Sequence, residues 1–410
     1  MPAARLEPVL SAELAELADT DLLKGPETVI AAVIPPRGDK GPRYLLVGEG
    51  DRPFLRANSN GYLGMALRRD VVAAESEAAH AVGTGPGAVR FISGTWAQHI
   101  ALEERLARFH KREAAMLFSS AYATVMGILP ALITAETAVL SDALNHNCII
   151  NAVRLARPRE RHVYPHLDLE ALEGGLREAA RNCRRALIVT DGIFSMRGDH
   201  APLKEIVALA SRSDASFAEG VLVVVDDSHG VGAFGATGRG TEEATGCAPA
   251  DLLVATLGKA FGVNGGYVTG PRSILRYLRE KSPFYVYSNP IAAGEAAAAL
   301  KAVDVLDSAE GLALLARLRD MTDRFARGLQ ALGFEAIVSR HPIVPLLVRD
   351  STRTLTLARR LKERGILATA INYPVVPRGE EEIRFQISAD HTAADIDEIL
   401  AALANARDQR

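Results

Sequence analysis

The sequence predicts an α/β protein: a mostly parallel central sheet with helices on both faces, followed by a smaller α+β unit. Three observations carry this expectation. Apolar runs of strand length recur from about residue 58 to 290, and helix-length amphipathic stretches separate most of them. These runs are apolar throughout rather than at alternate positions, as in strands covered on both faces. After Pro290 the pattern changes to long Ala/Leu helices and a few short strands. At 410 residues the chain is long for one domain. It divides into an N-terminal segment (1–57), a large α/β domain (58–290) and a small C-terminal α+β domain (291–410).

Each element follows from local pattern. The N-terminal segment combines a short acidic-apolar helix pattern, a Pro/Gly loop (Pro35-Pro-Arg-Gly-Asp-Lys-Gly-Pro42) and a strand at Tyr44-Leu-Leu-Val. The large domain holds strands at Ala115–Phe118, Ala138–Leu140, Ala186–Thr190, Val221–Val225, Leu252–Thr256 and Gly266–Thr269. Helices fill Ala292 to Leu332. Strands follow near Ile343–Val348, Ile366–Ala370 and Ile383–Ile387, and a closing helix starts near Ala393.

Composition narrows the function. Hydrophobic content of 48% supplies a large core, and a net charge of −3 leaves no basic footprint for nucleic acid. No apolar run reaches membrane-spanning length, and the opening residues lack the basic-then-apolar order of a signal peptide. Cys148, Cys183 and Cys247 are too scattered for a metal site and read as reduced thiols of a cytoplasmic protein.

The most informative segment is Asp251-Leu-Leu-Val-Ala-Thr-Leu-Gly-Lys259-Ala-Phe-Gly, where an apolar strand ends and a lysine follows between small residues. A lysine at the end of a buried strand is poorly solvated and easier to deprotonate, as Schiff-base chemistry with a carbonyl cofactor requires. Just upstream, Val221-Leu-Val-Val-Val-Asp226-Asp-Ser-His229 ends a second strand in an acid. These two strand ends suit pyridoxal phosphate (PLP). Asp226 would keep the pyridine nitrogen protonated and His229 would reach the ring's phenolic oxygen. Without a cofactor, Lys259 is a surface lysine, Asp226 a cap and His229 a solvated loop residue.

The same residues carry a family resemblance. With Asn60-Gly-Tyr-Leu-Gly64, Val89-Arg-Phe-Ile-Ser-Gly-Thr95, Ser141-Asp-Ala-Leu-Asn-His146, Asp191-Gly-Ile-Phe-Ser-Met-Arg-Gly198 and Ile383-Arg-Phe-Gln-Ile-Ser, the chain resembles the α-oxoamine synthases. These are fold-type I PLP enzymes that join an amino acid to an acyl-CoA with loss of CO2. The resemblance spans about Asn58 to Ala402. The wording of Val89 to Thr95 and of Tyr373-Pro-Val-Val-Pro377 is most similar to the glycine-using acetyltransferases among them.

That resemblance implies PLP as cofactor and a homodimer with shared active sites. Ala121 and Tyr122, opening a helix, would give backbone N–H groups to the cofactor phosphate. Thr256, and Ser288 from the second subunit, would complete the phosphate contacts. His146 would stack on the ring and relay protons, and Ser195 would bond the phenolic oxygen. Arg384 would take the substrate carboxylate as a bidentate fork, with Asn60 helping. His99 reads as structural. Trp96, Thr124, Val125, Asn147, Cys148 and Phe385 depart from the family wording and are expected to bear on substrate shape. The expected reaction condenses a small amino acid, glycine first, with an acyl-CoA, acetyl-CoA first, releasing CoA. A PLP-dependent aminotransferase or aldol-type lyase is the alternative. A nicotinamide dehydrogenase lacks support, because Gly83-Thr-Gly-Pro-Gly87 follows a helix pattern rather than the first strand.

Overall fold

The computed structural model describes residues 2–20, 23 and 26–407. Its strands in chain order are β1 (Ile30–Ile34), β2 (Arg43–Leu46), β3 (Leu55–Arg56), β4 (Ala114–Phe118), β5 (Thr137–Asp142), β6 (Glu160–Tyr164) and β7 (Arg185–Asp191). They continue as β8 (Val221–Asp226), β9 (Leu252–Thr256), β10 (Gly266–Gly270), β11 (Ile343–Leu347), β12 (Ile366–Leu367), β13 (Thr369–Ile371) and β14 (Glu382–Gln386).

The central sheet has seven strands in the order β4-β10-β9-β8-β7-β5-β6. All pairings are parallel except those of β10, which runs antiparallel to both β4 and β9. The predicted apolar runs are its five interior strands and β4 at one edge, and two separate apolar clusters cover its opposite faces. The strand of this sheet missed in sequence is β6, whose residues Glu160-Arg-His-Val alternate between half-buried and exposed before the buried Tyr164. It forms the sheet's edge, where charged side chains are tolerated and discourage pairing with other chains.

The helix Ala293–Leu306 opens the 291–410 stretch, yet it packs against the helices Arg69–Val82 and Ala97–Phe109. Its fully buried alanines, among them Ala296, Ala298, Ala299 and Ala302, allow that close approach. Ser308 separates it from the helix Ala309–Ala331, which it caps by accepting from the Gly311 N–H at 3.4 Å. The three-stranded sheet β11-β14-β13 buries Ile383 and Phe385 against helices of its own unit. The single strand expected over Ile366–Ala370 is two short ones, because β12 pairs with β3 while β13 pairs with β14.

Candidate active site

The carboxyl ends of β7, β8 and β9 meet at a cavity of about 200 Å³. This is the crevice position at which open α/β sheets bind ligands. Ala121, Tyr122, His146, Ser195, Asp226, His229, Thr256 and Lys259 all line it, so residues scattered over some 140 positions converge as expected. Asn60 and Arg384 lie behind His229, and Ser288 lies elsewhere on the same chain. Among the described residues, the half-buried Ser288 side chain bonds only the Asn289 carbonyl, at 3.4 Å.

Lys259 follows β9 through a turn that Thr256 builds. The Thr256 hydroxyl accepts the Gly258 N–H at 3.0 Å and donates to the Gly265 carbonyl at 3.2 Å. Burial disfavours the ammonium and brings the Lys259 pKa down to about 8, against the opposing pull of Asp226 and Asp191. The amine therefore loses its proton far more readily than a surface lysine does.

Asp226 ends β8 with its two oxygens in different settings. Oδ1 accepts the Ser228 N–H at 3.1 Å and the Ser228 hydroxyl at 2.5 Å. Among the described residues, Oδ2 meets only the Cys148 thiol, at 3.7 Å. One oxygen is thus anchored, and the other is kept for a donor in the cavity. Asp191 ends the neighbouring strand in register with Asp226, and burial and that second carboxylate raise its pKa.

His146 caps the helix Asn147–Ala156 and lines the cavity at once. Its Nδ1 accepts the Cys148 backbone N–H at 3.2 Å, and the His146 backbone N–H donates to Asp191 Oδ2 at 3.0 Å. Burial lowers its pKa, so the ring is neutral and the proton belongs on Nε2. His229 is buried, its pKa pushed down first by desolvation and then by Lys259 and Arg384. It shares a 2.7 Å hydrogen bond with the Tyr62 hydroxyl, and its carbonyl accepts from His341 Nε2 at 2.8 Å.

Ala121 and Tyr122 open the helix Ala121–Leu132, capped by Ser120, whose Oγ accepts the Ala123 N–H at 3.0 Å. N–H groups in the first turn have no intrahelical acceptor and favour an anion. Gly266 of β10 lets the strand run against this turn: a Cβ there would fall 2.2 Å from the Ala121 nitrogen.

Arg384 is buried on β14, and its Nε has no acceptor among the described residues. Asn60 Oδ1 receives Arg384 Nη2 at 3.5 Å, Gln386 Nε2 at 3.3 Å and the Tyr62 hydroxyl at 3.3 Å. Asn60 thus sits beside Arg384, both of them outside the cavity lining. Glu382 lies two residues along the same strand face, and burial raises its pKa to about 8. That favours its un-ionised form and weakens its compensation of the guanidinium charge.

Of the residues expected to bear on substrate shape, Phe385, Thr124 and Val125 turn away from the cavity. Phe385 points away from Arg384 into the small unit's core, edge-on to Phe325. Thr124 and Val125 are buried in helix packing outside the cavity lining, and Asn147 bonds Tyr122 and Asn151. Trp96 precedes the helix Ala97–Phe109. Of these departures only Cys148 reaches the cavity. His99 is structural, holding the Trp96 N–H and the Ile291 carbonyl. Sequence reading gave no role to Tyr62, Asp191 or Ser228, although each stands inside a motif that had been singled out.

The arrangement fits PLP on its own terms: a carboxylate oxygen kept for a donor, an amine of lowered pKa, a helix start with free N–H groups and an orphaned guanidinium nitrogen. The comparisons agree. The aminotransferase class I and II profile matches residues 53–403. The chain belongs to that family. It is 42% identical over 346 residues to the mitochondrial 2-amino-3-ketobutyrate coenzyme A ligase of Bos taurus, covering 84% of this chain and 80% of that protein. It is 41% identical over 353 residues to the 8-amino-7-oxononanoate synthase of Thermosipho melanesiensis, covering 86% and 88%. The serine palmitoyltransferase of Sphingomonas wittichii superposes with a TM-score of 0.86 at 26% identity, covering 98% of this chain and 97% of that one. The serine palmitoyltransferase of S. paucimobilis, solved with a PLP adduct, gives 0.85 at 26%, covering 98% of both chains. As a member of this family with α-oxoamine synthases as relatives, the chain is a PLP-dependent acyltransferase of that type. No described helix is long and apolar enough to cross a membrane.

Proposed function

We propose that this enzyme condenses a small amino acid with an acyl-CoA, glycine and acetyl-CoA being the first pair to test, as a cytoplasmic homodimer with composite sites. The observation that carries the reading is the shared cavity of Lys259, Asp226 and the Ala121–Tyr122 turn, with Arg384 behind it. When bound, PLP supplies an electrophilic aldehyde and an electron-withdrawing ring that labilises bonds at the amino acid's α-carbon. Lys259 would hold the cofactor and, once displaced by substrate, take the α-proton on its neutral amine. Asp226 Oδ2 would keep the ring nitrogen protonated, and His146 would pack on the ring plane with Nε2–H available as a donor. Ser195 and His229 would bond the phenolic oxygen, Ala121, Tyr122 and Thr256 the phosphate, and Arg384 the substrate carboxylate. Thiol release from a panel of amino acids and acyl-CoAs tests this function. Release with at least one pair is expected, and transamination or retro-aldol cleavage without any thiol release would overturn it.

The lysine's environment gives a pH prediction. Only the neutral amine attacks an aldehyde, and the lowered pKa leaves roughly a tenth of it neutral at pH 7. Capture of PLP by the apoprotein should therefore accelerate with pH and level off just above 8, followed by stopped-flow absorbance. A rate still climbing toward pH 10.5 would mean that Lys259 is not desolvated.

Shared sites make a second prediction. Tyr287 is 80% exposed, and Ser288 beside it does not reach its own cavity, as expected of a segment that serves a second copy. Ser288→Ala should weaken PLP binding by about tenfold, the value of one phosphate hydrogen bond. Mixing Ser288→Ala with Lys259→Ala subunits should restore one intact site per heterodimer and recover part of the activity. Exchanged subunits that stay inactive would refute the composite site.

A further inference from the structure

Cys148 is buried beneath the cavity, with its sulfur 3.0 Å from His146 Nδ1 and 3.7 Å from Asp226 Oδ2. The chain's other cysteines sit in or against the apolar cluster on one sheet face, away from the cavity. The thiol has one proton and two neighbouring acceptors. The imidazole Nδ1 has a single lone pair, and the backbone N–H of Cys148 already points at it from 3.2 Å. The remaining acceptor for the S–H is Oδ2 of Asp226, the oxygen that Ser228 leaves free. Burial and the two nearby carboxylates push the thiol pKa up, so the sulfur keeps its proton and stays a donor.

We propose that Cys148 is a positioning residue of the cofactor site: its thiol donates to Asp226 Oδ2 while its sulfur backs the His146 ring. Together with Ser228 on Oδ1, it fixes the carboxylate plane from both oxygens and ties that plane to the residue packed on the ring. This inference rests on the reading of the cavity as the PLP site. The single thiol thus links the acid at the ring nitrogen to the imidazole over the ring face.

The test separates donation from packing. Valine lacks a donor but is larger than cysteine by about a methyl group, whereas serine donates from a smaller side chain, and alanine, close to serine in volume but without a donor, controls for size. PLP affinity of the full-length apoprotein, by fluorescence titration, and the pH transition of the bound cofactor's visible band are the readouts. Cys148→Ser should keep the affinity within about threefold of wild type. Cys148→Val should lose about tenfold and move the band's pH transition, the effect of one hydrogen bond to a charged group. In the Asp226→Asn background, Cys148→Val should cost almost nothing, because the thiol acts through that carboxylate. Retained affinity in Cys148→Val with loss in Cys148→Ser would assign the side chain to packing and overturn the proposal. So would an undiminished valine penalty in the Asp226→Asn background. If Cys148→Val does not fold, Cys148→Ala takes its place, judged by the same comparison with serine. Wild-type apoprotein that gains no visible band with PLP would instead refute the cofactor reading of the cavity, and this inference with it.

Discussion

Lys259→Ala should purify as folded protein, give no visible absorbance band with PLP, and turn over more than about 10³-fold more slowly than wild type. No other residue lining the cavity carries an amine, so no neighbour can replace it in holding the cofactor or in taking the α-proton. The fold should survive, because the Lys259 side chain makes no hydrogen bond or ion pair with the described residues, its backbone carbonyl keeps the Gly262 N–H at 3.0 Å, and removing the amine deletes a poorly solvated charge. Circular dichroism and thermal denaturation check the fold, and thiol release checks turnover. A free small amine should restore a fraction of the rate if the loss is one of proton transfer. A variant that works at near wild-type rate without added amine would sink the assignment of Lys259.

The second large effect belongs to Asp226→Asn. Asparagine keeps the shape and can still meet Ser228, so PLP should remain bound. What disappears is a full negative charge beside the ring nitrogen. At about 4 Å and an effective dielectric near 20 such a pair is worth about 4 kcal/mol. Exchange of the bound amino acid's α-proton in deuterated buffer should fall by about 10²–10³-fold, somewhat less than the bare Coulomb figure because water and Ser228 compensate in part. An unchanged exchange rate would mean that a different acid serves the ring, and Asp191, in register on the adjacent strand, would be the first candidate.

The interior of the fold was legible because burial on both faces writes itself as uninterrupted apolar runs. Val221–Asp226 and Leu252–Thr256 were read to within a residue, and their ends identified Asp226 and Lys259 as companions. The edge strand β6 was not legible, since Glu160, Arg161 and His162 carry the polarity that solvent exposure permits. The direction of β10 also escaped, because hydrophobicity is blind to strand polarity. Within the site, strand-end residues were predictable, while residues that hold other residues were not. Tyr62 lies more than 160 positions from His229, and only folding sets its hydroxyl 2.7 Å from that ring. Phe385 illustrates the opposite failure: neighbouring in sequence to Arg384, it faces the other side of the strand, as a period of two demands.

The path Arg384–Asn60–Tyr62–His229 has a thermodynamic meaning beyond its geometry. It runs from the C-terminal unit, where a carboxylate would dock, to the edge of the cavity that would hold the cofactor. A ligand that draws the guanidinium toward itself loosens its claim on Asn60, and the phenol then redistributes its single proton between amide and imidazole. Occupancy at one end would thereby be felt at the other, and linkage would make the influence mutual. Simple carboxylates that cannot react should consequently shift the colour of the cofactor, and the resting enzyme should bind them with an affinity that depends on whether PLP is in place.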